Sequence, residues 1–167
     1  MIVCDENYWW GGGWLDGQID ERAASEWIAA TVRDLTSRPD VTLLPRTTAF
    51  GYYDGNLVGA SERVTDHLPA PPAHMPRQRL WKIRAKAVVL ASGAFERPIA
   101  YANNDLPGTM LASAARTYLK RYGVRPGSRA VVFTNNEGAY ADALALQAVG
   151  VTIAAIVDAR PSSALSR

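Results

Sequence analysis

The residues that first suggest chemistry are an acidic pair near the start of the chain. Residues 2–5 form a short, mainly apolar run that is typical of a buried parallel strand and ends at the acidic pair Asp5 and Glu6. In dinucleotide-binding sheets, an acid at the end of the second strand accepts hydrogen bonds from both hydroxyls of the adenosine ribose. Glu6 is better placed for that role than Asp5. The alternative is an acidic strand end that only faces water, and the lack of a preceding GxGxxG loop favours it.

Two small-residue segments also resemble ligand-binding turns. Residues 11–13 are three consecutive glycines, which either permit close approach of the backbone to a ligand or form a flexible turn. Residues 91–94 (ASGA) follow a continuously apolar run, residues 87–90, which predicts a strand buried on both faces. Ligands of open α/β sheets bind at such strand ends. A tight turn without a ligand is an equally good interpretation of these four residues.

A third segment, residues 134–140 (TNNEGAY), stands where a Rossmann glycine turn would lie between strand and helix. It keeps one glycine of the usual three, and its side chains would crowd a pyrophosphate. We therefore expect a Rossmann-shaped unit here that is not a working second dinucleotide site.

Metal and hydrolase chemistry have little support in the sequence. His67 and His74 lie in a proline-rich loop without a clear third ligand, which indicates surface residues. Neither GxSxG nor HExxH occurs. Cys4 lies inside an apolar run and is typical of a small core side chain. We predict no catalytic residue and no metal site in this chain.

Other side chains leave two interpretations open. Trp9, Trp10 and Trp14 flank the glycine loop, where they would stack on a flavin, an adenine or another chain, or pack against sequence outside this one. Arg97 would meet a phosphate or a partner carboxylate, or pair with Glu96 on the surface.

Helices and strands that position these residues follow from hydrophobic periodicity and turn residues. Asp20 is the predicted N-cap of the first helix, and Pro39 ends it. The predicted helices are residues 19–35, 111–122 (closed by Gly123) and 137–149; the predicted strands are residues 2–5, 41–44, 46–54, 56–64, 79–85, 87–90, 130–134 and 151–157.

Composition excludes several classes of protein. The 167 residues are 48% hydrophobic and 20% charged, which is typical of a globular chain. One Cys rules out a disulfide scaffold and a cysteine-ligated cluster within these residues, and a net charge of +2 gives no reason to expect nucleic acid as a partner. No apolar run long enough for a membrane span and no basic leader occurs, so we expect a cytoplasmic protein. A strand that begins at the first residue predicts that a segment is missing upstream.

Several longer phrases carry a family resemblance. PRTTAFGYYD (45–54), RQRLWK (77–82), ASGAFERP (91–98) and NNDLPG (103–108), with IVCDE (2–6) and its glycine loop, closely resemble the alpha subunits of heterotetrameric sarcosine oxidase. The wider family includes the alpha subunits of hydrogen cyanide synthase and of opine and proline dehydrogenases, which are built like disulfide-reductase flavoproteins.

The resemblance implies an oxidoreductase complex. The complete subunit would have an upstream GxGxxG element and a downstream folate-binding domain, and its dinucleotide domain would hold NAD. FAD in the beta subunit would oxidise sarcosine to glycine, and electrons would pass to a covalent FMN. The products would be hydrogen peroxide and formaldehyde or methylenetetrahydrofolate, and the partners would be the beta, gamma and delta subunits, sarcosine and tetrahydrofolate.

The resemblance also assigns cofactor-binding residues. One departure from the family pattern is the third glycine followed by Trp14, where the family tends to have Gly-Gly-Ser-Leu. The implied positions are the ribose acid Glu6 (with Asp5 as the alternative), the loop residues Gly11 and Gly12, the adenine-side strand residues Thr48 and Ala49, and the turn residues Ser92, Gly93 and Ala94.

The predicted fold class is α/β, a Rossmann-like FAD/NAD(P)-binding fold with an inserted β-hairpin or meander, incomplete at both ends. Residues 1–110 would be a partial dinucleotide-binding domain without its first strand and GxGxxG loop, and residues 111–167 the start of a second nested βαβ domain. We expect the isolated chain to be poorly soluble and inactive. The alternatives are part of an FAD-binding alpha subunit of an opine, proline or cyanide-forming dehydrogenase, and a non-catalytic structural module.

Overall fold

A computed structural model describes residues 1–12 and 17–161 of the chain. The chain divides into two compact units, Met1–Ser92 and Gly93–Arg167. Both units contain a pair of parallel strands, and the first also contains antiparallel sheets. The predicted α/β class is therefore confirmed at this coarse level. The predicted domain boundary near residue 110 stays a prediction.

The first unit opens with two parallel strands joined through a helix. Strand β1 (Ile2–Cys4) is followed by a short hairpin, β2 (Gln18–Ile19) and β3 (Arg22–Ala23), then by helix α1 (Ala24–Ser37) and strand β4 (Thr42–Leu44). Strands β1 and β4 pair in parallel with Ile2 opposite Thr42 and Cys4 opposite Leu44. The predicted strands at residues 2–5 and 41–44 are confirmed.

Helix α1 begins later than the sequence predicts. Asp20, the predicted N-cap, instead lies in the turn of the β2–β3 hairpin with a φ of 49°. Ala23 occupies the N-cap position without a side-chain hydrogen bond. The helix ends at Ser37 and Arg38 is extended, as expected for a residue before proline.

A three-stranded antiparallel sheet completes the first unit. Its strands are β5 (Thr47–Tyr53), β6 (Leu57–Arg63) and β7 (Gln78–Arg84), with β6 in the centre. The Asp54-Gly55 turn joins β5 to β6 as predicted. Ala60 on β6 is fully buried, and Thr47 at the start of β5 is nearly so. The core of this sheet therefore lies at the end where β5 begins.

The predicted buried strand at residues 87–90 is wrong. The structure places neither helix nor strand between residues 87 and 110, and the side chains of Val89 and Leu90 are 88% and 76% exposed. A strand requires hydrogen bonds to a neighbour, and no described strand pairs with these residues. Apolar sequence alone therefore does not make this segment a strand.

The second unit is a βαβ unit preceded by a helix. Helix α2 (Ala112–Tyr122) ends at Gly123, which has a left-handed φ of 64° and closes the helix as predicted. Strand β8 (Arg129–Thr134), helix α3 (Gly138–Gln147) and strand β9 (Thr152–Asp158) follow, and β8 and β9 are parallel. The predicted helix and βαβ unit are confirmed. The core between these elements contains Ala115, Val132, Ala139, Ala143, Leu146 and Val151.

Candidate functional site

The candidate site of the first unit is built on residues 5–8, here called the acidic segment, which follows β1. The backbone N–H of Asp5 donates to the Leu44 carbonyl over 3.1 Å, and the main-chain carbonyl of Asp5 accepts the N–H of Thr47 over 2.7 Å. The N–H of Arg46 reaches the Asn7 carbonyl over 2.9 Å. Backbone hydrogen bonds between residues 5–7 and residues 44–47 thus continue past the ends of β1 and β4. These bonds fix the backbone of the acidic segment.

The two acidic side chains have different roles in the structure. The Asp5 carboxylate accepts the N–H of Asn7 at 2.8 Å and is used to form the local turn. Glu6 is exposed, and its carboxylate has no hydrogen bond or ion pair within the part of the chain that the structure describes. Its main-chain carbonyl accepts a hydrogen bond of 2.7 Å from Nη2 of Arg63. Of the two predicted acids, Glu6 is the one whose carboxylate remains available to a ligand.

Two aromatic residues that follow the acidic pair, Tyr8 and Trp9, pack against each other. The rings of Tyr8 and Trp9 meet edge to face at 4.8 Å between centroids, and both side chains are at least half exposed. The guanidinium carbon of Arg46 lies 4.1 Å from the centroid of Tyr8. Trp14 lies outside the described residues.

An open groove of about 520 Å³, here called the aromatic groove, lies between these rings and helix α1. Most of its surface is apolar or aromatic, with Ser25 and Arg33 as polar lining residues. The remaining lining residues are Tyr8, Trp9, Trp10, Ile28, Ala29, Val32 and Pro45.

The predicted loop glycines differ in what surrounds them. Gly11 has a φ of 99°, and a β-carbon built there would overlap Cδ1 of Ile28 and lie 3.1 Å from its Cγ1. Gly12 has a φ of 57°, and a β-carbon there would meet nothing within 4 Å. Gly11 therefore has a structural reason to be glycine, because the loop crosses helix α1 closely at this point.

The predicted adenine-side residues lie on edge strand β5. Thr48 is opposite Ser61 and Ala49 is opposite Ala60, and both are exposed. Because Thr47 is hydrogen-bonded to Asp5, the start of β5 lies directly beside the acidic segment. The structure thus brings together Glu6 and the first residues of β5, and their cofactor roles stay predictions.

The predicted turn residues Ser92, Gly93 and Ala94 are not at a strand end, because the strand predicted before them does not form. All three are exposed, and Gly93 has a φ of 71°. The neighbouring Glu96 carboxylate accepts the backbone N–H of Ser113 at 2.9 Å in the first turn of α2. Glu96 therefore caps helix α2. This contact does not distinguish between the two interpretations of Arg97, which are binding to a phosphate or partner carboxylate and pairing with Glu96.

The second unit contains a polar cluster that the sequence did not reveal, at the carboxyl end of β9. The Arg160 guanidinium binds the Asp158 carboxylate at 2.6 Å and that of Glu137 at 2.7 Å, and the Tyr140 hydroxyl donates to Asp158 at 3.0 Å. The hydrogen bonds from Arg160 hold the pKa of Asp158 well below its ordinary value. The hydrogen bond to Asp158 raises the pKa of Tyr140. In the sequence, the one sign of this cluster is an acid at the end of a predicted strand, Asp158, with an arginine two residues later.

The turn between β8 and α3 is closed by its own side chains. The Thr134 hydroxyl accepts the N–H of Asn136 at 3.1 Å, and the Asn136 amide oxygen accepts the N–H of Gly138 at 2.9 Å. A pyrophosphate at a Rossmann turn would need such backbone donors at the helix start. Two of the backbone donors at this turn are therefore already bound by side chains. That the second unit is not a working dinucleotide site stays a prediction.

Metal ligands are not clustered in the described residues, which hold no group of three or more His, Cys, Asp or Glu side chains suited to a metal ion. His67 and His74 are exposed. Cys4 is half-buried, and burial raises the pKa of its thiol. Within residues 1–12 and 17–161, no helix has the length and apolar character needed to cross a membrane.

Comparison with curated proteins finds relatives of one kind. The chain is 47% identical over 165 residues to sarcosine oxidase subunit alpha of Rhizobium meliloti (strain 1021), and 48% identical over 164 residues to that of Corynebacterium sp. (strain P-1). These matches cover 98% and 96% of the chain but 17% of each relative. No protein-family model matches. The predicted resemblance to sarcosine oxidase alpha subunits is confirmed, and the chain spans about a sixth of their length.

A solved structure shares the fold. L-proline dehydrogenase from P. horikoshii aligns with a TM-score of 0.69 and 24% sequence identity. The alignment covers 93% of this chain and 30% of that one. The likeness supports the α/β architecture described above.

Proposed function

We propose that this chain is the NAD-binding portion of a sarcosine oxidase alpha subunit. The complex would oxidise sarcosine to glycine and form hydrogen peroxide with formaldehyde or methylenetetrahydrofolate. The observation that carries the proposal is the available Glu6 carboxylate after a parallel strand, in a chain 47–48% identical to sarcosine oxidase alpha subunits.

Glu6 suits the adenosine end of a dinucleotide. An exposed carboxylate on a fixed backbone can accept hydrogen bonds from both ribose hydroxyls, and such charge-assisted bonds are stronger than neutral ones. Thr48 and Ala49 follow Thr47 on β5, beside the acidic segment, and would flank the adenine. NAD itself would supply redox-active nicotinamide when bound.

The chain would bind and orient rather than oxidise. Its sequence contains no GxGxxG, so the pyrophosphate cradle would come from another part of the subunit. In this proposal sarcosine reacts at FAD on the beta subunit, FMN accepts electrons elsewhere, and the gamma and delta subunits complete a cytoplasmic complex. The isolated chain would then be inactive.

A chimeric enzyme tests the proposal. This chain replaces the matching segment of the Rhizobium meliloti subunit, which is produced with its partner subunits, and bound NAD and FAD are released and quantified. We expect the chimera to assemble, to oxidise sarcosine and to hold stoichiometric NAD. Glu6→Gln should weaken NAD affinity about 10- to 100-fold, the worth of a charged hydrogen bond.

Glu21→Gln is the matched control, because Glu21 is an exposed glutamate in the β2–β3 turn. It should leave NAD affinity unchanged. A chimera that assembles and holds FAD in place of NAD would contradict the NAD assignment. Equal NAD affinity in the Glu6→Gln and Glu21→Gln enzymes would contradict the ribose role of Glu6.

A further inference from the structure

Two arginines that the proposed function leaves unassigned both contact the acidic segment. Arg63 ends the central strand β6, and its Nη2 donates to the Glu6 carbonyl over 2.7 Å. Its backbone N–H also donates to the Arg46 carbonyl over 2.9 Å. A guanidinium donor makes a stronger hydrogen bond than a neutral one, so this contact helps to fix the main chain of Glu6.

Arg46 contacts the same segment at Asn7 and Tyr8. It has a left-handed φ of 52°, which is unfavourable for a residue with a side chain. In that conformation its N–H reaches the Asn7 carbonyl at 2.9 Å and its guanidinium stacks on Tyr8 at 4.1 Å. Strained backbone of this kind persists where the surrounding contacts determine it, and it often occurs at functional sites.

Together these contacts fix the backbone on both sides of Glu6 while leaving its carboxylate uncommitted. Arg63 bonds the carbonyl of Glu6 rather than its carboxylate, and no ion pair joins Glu6 to either arginine within the described residues. An arginine that paired with the carboxylate would compete with ribose hydroxyls. Binding the main chain avoids that competition and reduces the entropy that Glu6 would lose when a ligand binds.

We propose that Arg46 and Arg63 are positioning residues that hold Glu6 ready for a ribose diol. This inference rests on the proposed function and assigns two further residues to the same site. The arginines act through Glu6 and do not touch the nucleotide.

A double-mutant cycle in the assembled chimera tests this role, with the dissociation constant of NAD as the readout. Arg63→Gln removes a charged hydrogen bond and should weaken NAD binding about 10-fold when Glu6 is present. Arg46→Gln keeps the backbone N–H bond to Asn7 and removes the stack on Tyr8, so it should weaken NAD binding about fivefold. In the Glu6→Gln background, the same changes should weaken it less than about twofold, because the side chain they position is gone. Arg22→Gln, at an exposed arginine of β3, is the control and should have no effect.

The outcomes separate three roles. Penalties that remain equally large in the Glu6→Gln background would overturn the proposal, since the arginines would then act on the fold or on the phosphates. If Glu6→Gln weakens NAD binding but Arg63→Gln and Arg46→Gln do not, the positioning role alone would be overturned. No effect of Glu6→Gln would overturn both the ribose role and the positioning role.

Conservative variants keep the test decisive if a glutamine variant does not assemble. Arg63→Lys retains the positive charge and can still donate a hydrogen bond but loses the planar guanidinium, and we expect about a threefold loss of NAD affinity that again depends on Glu6. Arg46→Lys loses the planar stack on Tyr8 and should behave in the same way. A loss that does not depend on Glu6 in these variants would equally reject the proposal.

Discussion

Replacing Gly11 by alanine should destabilise the first unit more than the same change at Gly12. Both glycines have positive φ, so each substitution costs about 1–2 kcal/mol of backbone strain. At Gly11 the new methyl group also overlaps Ile28 of helix α1, and overpacking of this kind costs about 1–3 kcal/mol. We therefore expect Gly11→Ala to lower the free energy of unfolding by about 2–5 kcal/mol and Gly12→Ala by about 1–2 kcal/mol.

Tryptophan fluorescence during urea unfolding measures this difference in the relevant unit, because all five tryptophans lie within residues 1–92. Adding Ile28→Val to Gly11→Ala removes the overlapping Cδ1. The double variant should be less destabilised than the sum of its single changes by about 1 kcal/mol.

Equal destabilisation by Gly11→Ala and Gly12→Ala would refute the packing argument, since it would mean that Ile28 moves aside without cost. The loop would then tolerate a side chain at Gly11 as readily as at Gly12. In that case a ligand, rather than helix α1, would be the better reason for glycine at position 11.

Three further predictions concern the second unit. Asp158→Asn should lower the free energy of unfolding at neutral pH and make it less dependent on pH, as measured by circular dichroism unfolding curves. Arg160 lowers the pKa of Asp158 in the folded state. The stabilisation from Asp158 is therefore present above about pH 4 and is lost as the pH falls through the folded-state pKa. Glu96→Ala should cost about 1 kcal/mol in urea unfolding, because the first turn of α2 loses its capping acceptor. Leu146→Ala should cost about 2–5 kcal/mol in the same assay because it leaves a core cavity, whereas Leu144→Ala, at a residue 65% exposed, should cost less than about 0.5 kcal/mol.

Local signals in the sequence predicted most of the described helices, strands and turns. The Asp54-Gly55 turn located the β5–β6 hairpin, Gly123 located the end of α2, and alternating apolar segments located the βαβ unit. The prediction of a strand at residues 87–90 was wrong because a strand needs a neighbouring strand to pair with, and apolar composition does not supply one. Asp20 failed as an N-cap because the β2–β3 hairpin uses it in a turn.

For the candidate site, the sequence identified the acidic pair but not the residues that hold it. Arg63 is 57 positions away from Glu6. Its guanidinium reaches the Glu6 carbonyl only because β1 pairs with β4, β5 pairs with β6, and the Thr47–Asp5 hydrogen bond holds the start of β5 beside the acidic segment. The cluster of Glu137, Tyr140 and Arg160 around Asp158 likewise forms only after β8 and β9 pair in parallel. Such long-range contacts between polar side chains have no periodic signature.

The long-range attachment of the acidic segment also has a consequence for the order of folding. The β5–β6 hairpin closes a short loop, whereas β1 pairs with β4 across 40 residues, from Ile2 to Thr42. Longer loops lose more chain entropy on closure, so the hairpin should form early, and β1, which directly precedes the acidic segment, should dock late. A ligand held by Glu6 would then act on the last step of folding, and amide hydrogens of β1 would exchange faster than those of β6 until it binds.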